Sequence, residues 1–158
     1  MFRPRTTALL IALLATVGLT GCSTTVSMTS APEADDPSCA AVTVRLPARV
    51  DGQERRWTDA QATGAWAGAD GRTTVLMTCG LEPPGPSTLP CQSAGGVDWL
   101  IDDSAAPNYR FTSFGRAPAV QVYLDYDVVS ARSVLDALGT AVSQLPATGS
   151  VCTDRPSS

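Results

Sequence analysis

The residues in this chain that could do chemistry are carboxylates. Asp98, Asp102, Asp103, Asp125 and Asp127 form the densest set. Paired carboxylates carry out acid–base hydrolysis or hold calcium. Asp102 and Asp103 are adjacent, without the alternate-ligand spacing and glycine of a calcium loop. Acids at strand ends are ordinarily a solvated face. Asp98 is the best single choice for a carboxylate-dependent enzyme, and no residue is assigned a catalytic role. Arg116 follows Gly115 in a turn, and Asp98, Trp99 and Arg116 make a candidate binding set for a small anion or peptide. The ordinary alternative is an Arg116–Asp98 pair that closes a hairpin.

Other chemistry is excluded by composition. All 11 basic residues are arginine, and there is no histidine. That removes Ser-His-Asp and Cys-His schemes, the usual catalytic zinc ligand sets and the near-neutral proton switch. No G-x-S-x-G elbow is present, and a phosphate-binding G-x-x-x-x-G-K-[ST] loop needs a lysine. The expectation is therefore no metal and no cofactor.

The five cysteines indicate compartment. Arg3 and Arg5 precede a short apolar run from Ala8 to Leu19, which is signal-peptide length rather than membrane-spanning length. The run ends Leu19-Thr20-Gly21-Cys22, a bacterial lipobox. Cys22 is expected as the lipidated mature N-terminus, with residues 1–21 removed. A diacylglyceryl group brings two acyl chains, enough for stable anchoring. The protein should therefore lie on the extracytoplasmic face of the cell membrane. Residues 22–38 are Ser/Thr-rich and then acidic, a flexible tether with a span of roughly 20 Å. Cleavage leaves nine arginines against fifteen acids, a net −6 from the formal −4. An acidic domain of this kind does not favour nucleic acid or anionic membrane surfaces.

The elements that must position these groups are short. Thr74–Cys79 is β-branched and apolar on both faces, an internal strand. Pro83, Pro84, Pro86 and Pro90 make the following segment a stiff loop. Val97–Ile101 and Tyr109–Phe114 read as strands, and Val120, Val122 and Leu124 alternate with polar residues in a fourth. Asp51–Gly71 is polar and reads as loop or broken helix. Its Trp57 and Trp66 read as core residues, with an exposed patch as the alternative. Asp36-Pro37-Ser38 resembles a helix start. The residues behind it fit either a helix (Cys39, Val42, Leu46) or a strand (Val42, Val44, Leu46). Ser130 can cap a last helix whose stripe is Val134, Leu135, Leu138, Val142 and Leu145. The fold expected is α+β and two-layer, a four-stranded mainly antiparallel sheet covered by an N-terminal and a C-terminal helix. A single domain spans residues 39–152, with a disordered tail at 153–158.

Cys79-Gly80, Pro83-Pro84-Gly85-Pro86, Cys91, Val97-Asp98-Trp99-Leu100, Phe111-Thr112 and Gly115-Arg116-x-Pro118-Ala119 together resemble a family of actinobacterial lipoproteins, domain of unknown function thirty-five fifteen. The resemblance covers about Pro37 to Cys152. It implies a lipoprotein without an established activity, and it favours the helix over the strand for Pro37 to Leu46.

Four mature cysteines behind an export signal imply two disulfides. Cys79–Cys91 across the proline loop and Cys39–Cys152 between the two helices are the pairs expected. Two function classes follow. One is a non-enzymatic binding or accessory module of the cell envelope, partnered by the membrane and by an envelope protein or cell-wall material. The other is a carboxylate-dependent enzyme acting on cell-wall material.

Overall fold

A computed structural model describes residues 25–153. Its two helices and eight strands form an α+β fold, in the order α1 (Pro37–Thr43), β1 (Arg49–Val50), β2 (Gln53–Arg56), β3 (Thr63–Ala67), β4 (Thr73–Leu81), β5 (Cys91–Ala94), β6 (Val97–Ala105), β7 (Asn108–Phe114), β8 (Ala119–Asp125) and α2 (Ala131–Val142). All the strands lie in one antiparallel sheet, ordered β1-β2-β3-β4-β8-β7-β6-β5.

The four-stranded sheet expected from the sequence is thus corrected to eight strands. Two causes account for the difference. Asp51–Gly71 is not loop or broken helix, because its polar side chains project from β2 while Ala65 and Trp66 of β3 are buried. β5 carries no apolar alternation and is held by pairing to β6 around the Gly95-Gly96 turn. The helices differ as well. α1 ends at Thr43 rather than near Leu46, and Thr43 Oγ1 bonds back to the Cys39 carbonyl at 2.8 Å. Asp36 caps it by accepting the Ser38 N–H at 2.7 Å.

The sheet consists of two meanders joined by one long crossing. Strands β1 to β4 run consecutively. The proline loop then carries the chain to the far edge, and β5 to β8 return until β8 closes against β4. Four strand spacings of about 4.8 Å separate β4 from β5, roughly 19 Å. Nine residues of polyproline-like chain reach about 28 Å, so the loop can make this crossing without sheet or helix.

Period-2 alternation then sorts the side chains. Val75, Met77, Cys79, Trp99, Phe111, Val120, Val122 and Leu124 are buried on one face with Val42 and with Val134, Leu138 and Val142 of α2. Trp66 and Trp99 are fully buried, and each ring N–H reaches a carbonyl, Pro47 O at 3.0 Å and Ala94 O at 3.1 Å. Trp57 departs from the core reading: it is 77% exposed.

Both expected disulfides are replaced by others. The bridges are Cys39–Cys79 and Cys91–Cys152. Cys79 lies on the core face of β4, below Cys39 of α1. Cys91 lies at the opposite edge of the sheet, and a Cα separation near 19 Å is far beyond the reach of a bridge, about 7 Å.

The stretch expected as a flexible tether is bonded to the domain from Val26 onward. Val26 forms a parallel bridge with Thr58, Ser27 and Met28 donate to Asp59, and Glu33 N–H meets Gly80 O at 2.9 Å. Gly80 has φ +105°, and a Cβ there would lie 2.5 Å from the backbone of Glu33 and Ala34. Cys22 and residues 154–158 lie outside the described residues.

Candidate functional site

Asp98, Trp99 and Arg116 do not come together as one site. Successive residues of a strand point to opposite faces. Trp99 therefore enters the core while Asp98 points to the face without helices. Asp98 Oδ2 accepts the backbone N–H of Cys152 at 2.7 Å, and its other oxygen accepts the Ser93 hydroxyl. Its carboxylate holds the C-terminal segment against the sheet. Among the described residues, Arg116 pairs with no acid. Its guanidinium donates to the Leu145 carbonyl at 2.9 Å and the Ser143 carbonyl at 3.4 Å, just beyond α2. A cation at the carbonyl end of a helix satisfies its last acceptors and its dipole. Both groups are used in holding the fold.

Asp102 and Asp125 are also engaged separately. Asp102 faces Arg110 at 3.4 Å and accepts the Ser104 N–H at 3.0 Å, whereas Asp125 pairs with Arg72 at 2.6 Å. Hydrogen bonds from Ser104, and then the charge of Arg110, hold the Asp102 carboxyl below its ordinary value. Among the described residues, no group of three potential ligands is placed to hold a metal ion. Asp98 and Asp102 lie on one strand, four residues apart. At about 3.3 Å per residue their Cα atoms are roughly 13 Å apart. A glycosidase pair needs its carboxyl groups about 5–9.5 Å apart, and the hydrogen bonds of these two draw them toward different neighbours.

A site the sequence does not reveal lies beyond β5. A groove of about 930 Å³ runs between the proline loop, the edge strand and the C-terminal segment. Leu89 and Pro90 form one wall, Val151 and Cys152 the other, and Leu100 and Phe114 the floor. Leu89 is 41% and Val151 63% exposed. None of the described lining residues is ionisable; the polar ones are serines, Gln92 and Thr153.

The walls are held from several sides. Thr148 N–H bonds Gly115 O at 3.0 Å, Ala117 N–H bonds Pro146 O at 3.0 Å, and the Cys91–Cys152 bridge joins edge strand to tail. Pro83 to Pro90 and Cys152 are visible in the sequence as a stiff loop and a disulfide partner. Their meeting depends on which cysteine pairs with which. A smaller cleft of about 160 Å³ lies between α2 and the sheet, beside Tyr109 and Tyr126, whose ring centroids are 4.7 Å apart.

No curated protein and no solved structure matches the chain. A family model described as "Protein of unknown function (DUF3515)" matches residues 6–149. That match spans nearly the whole chain, and the chain belongs to this family of proteins of unknown function.

Proposed function

We propose that the protein is a membrane-anchored extracytoplasmic lipoprotein whose groove binds an extended, uncharged segment of an envelope protein or cell-wall polymer, without catalysing a reaction on it. The observation that carries the binding reading is the groove itself. It is large, lies at a sheet edge and mixes apolar with uncharged polar lining; none of its described lining residues is ionisable, and Asp98, which bonds the lining residues Ser93 and Cys152, is engaged by them. Acid–base catalysis needs such a group within hydrogen-bond reach of the reacting atoms. Uncharged polar groups among apolar ones instead fix a ligand's orientation.

The lipobox at Cys22 supports the anchor, and the two disulfides support an oxidising compartment. The alternative of a carboxylate-dependent enzyme is disfavoured by the separation and engagement of Asp98 and Asp102.

Site-specific photocrosslinking in intact cells tests the reading. A photoreactive side chain at Leu89 or Val151 should capture a discrete adduct that the same group at exposed Arg132, on α2, does not. Equal labelling at all three positions would refute it.

A further inference from the structure

We propose that Trp57 is a membrane-interface anchor: its indole, flanked by arginines, rests in the headgroup layer of the bilayer that holds Cys22. This inference rests on the lipid-anchor reading above and extends it to the orientation of the domain.

The chain path places Trp57 close to the lipid. Val26 N–H donates to the Trp57 carbonyl at 2.8 Å, and Asp59 N–H donates to the Val26 carbonyl at 3.3 Å. The Asp59 carboxylate accepts the Ser27 hydroxyl and the Met28 N–H, both at 2.8 Å. The N-terminal segment is therefore clipped to the backbone of Trp57 itself. From Val26 back to Cys22 is four residues, at most about 14 Å of extended chain. A long free tether would let the domain tumble well clear of the bilayer, whereas this clip leaves a short one.

The chemistry of the clipped end suits a lipid surface. Trp57 is 77% exposed, although the other two tryptophans are fully buried. An indole with an apolar body and one N–H donor partitions to the membrane–water boundary. Arg45, Arg49, Arg55 and Arg56 are four of the nine mature arginines, and all lie within twelve positions of sequence. Arg55 reaches the Leu46 carbonyl at 3.2 Å, which ties the Arg45-Leu46 turn to the strand that leads into Trp57. Arg49 is paired with Glu54, while Arg45 is exposed. The rest of the mature domain is strongly acidic. Asp51, Glu54 and Asp59 lie in the same stretch, so four arginines stand against three acids: this end is nearly neutral, and an anionic headgroup layer repels it least and the remainder most.

The test uses the protein as its host processes it, purified from membranes and placed in phosphatidylcholine–phosphatidylglycerol vesicles. Brominated phosphatidylcholine serves as the quencher. The mass of the N-terminal peptide is read on the same sample. Trp66 and Trp99 give a constant buried background, so the difference between wild type and Trp57→Gln isolates Trp57.

The expected result is a blue shift in vesicles, with brominated lipid removing roughly a third of the emission, the share of one tryptophan in three. W57Q should lose both effects while keeping its circular dichroism and its vesicle attachment. A diacylglyceryl-modified peptide with Trp57 equally open to acrylamide with and without vesicles would overturn this inference alone. An unmodified peptide would overturn the anchor reading, and this inference with it. A shift that follows protein concentration without lipid would mean that a second copy covers Trp57, and would also overturn it.

Discussion

Gly139 lies inside α2, and helix propensity alone says that Gly139→Ala should stabilise the protein by about 1 kcal/mol. The structure reverses the sign. A Cβ at Gly139 would clash with the carbonyl oxygen of Gly95 and lie 2.6 Å from its Cα. Gly95 belongs to the β5–β6 turn and has φ +60°. It is held to the same helix by its N–H, which meets Asp136 Oδ1 at 2.7 Å. The obstacle is backbone, so no rotamer change relieves it, and the turn must lift from the helix. Overpacking of this kind costs about 1–3 kcal/mol, and straining a hydrogen bond to a carboxylate adds about 1.5 kcal/mol. Set against the propensity gain, the net destabilisation is about 2.5 kcal/mol. With a urea slope near 1.5 kcal/mol/M, the unfolding midpoint should fall by about 1.7 M. The matched control is Thr140→Ala, one residue on and exposed, which should raise the midpoint slightly. A G139A midpoint at or above wild type would refute the close packing of turn on helix.

The two disulfides should differ in reactivity. Cys39 and Cys79 are fully buried, whereas Cys91 and Cys152 line the groove. Mild dithiothreitol, followed by alkylation and peptide mapping, should label Cys91 and Cys152 first and leave Cys39–Cys79 closed until unfolding; simultaneous labelling of all four would contradict the burial. In the chain-entropy model each bridge contributes about 4 kcal/mol, so the singly reduced protein should show a clearly lower urea midpoint.

The N-terminal clip should be acid-sensitive. Hydrogen bonds from Met28 and Ser27 hold the Asp59 carboxyl below its ordinary 3.8. A carboxyl lowered on folding stabilises the folded contact above that value, and the contribution is lost as pH falls through the lowered one. Amide exchange at Met28 should therefore stay slow above pH 3.8 and lose its protection only below it. Unchanged protection down to pH 2 would mean that the carboxylate does not hold the segment.

The sequence was informative where the signal is local. Thr74–Cys79 reads as an internal strand because both its faces are apolar, and β4 does lie between β3 and β8. The stripe Val134, Leu135, Leu138, Val142 and Leu145 is read from helical spacing, and all five residues are buried. The missing histidines are likewise read straight from residue types, with no geometry needed. The α+β class follows from the same short-range patterns.

Long-range pairing was not legible. Apart from Trp66, β2, β3 and β5 carry polar or small residues, and they are strands because a neighbour's backbone satisfies their hydrogen bonds. The proline loop looks like a hairpin connection between adjacent strands, but it crosses to the opposite edge of the sheet. That crossing alone separates Cys79 from Cys91 and reassigns both disulfides. It also brings Cys152 to the loop and so creates the groove. Asp98 and Arg116 stand out by type, but their partners are backbone groups of distant segments, Cys152 and Leu145. Residue type states what a side chain can bond. Which group it meets depends on strand order, and strand order is decided by the packing of the whole sheet.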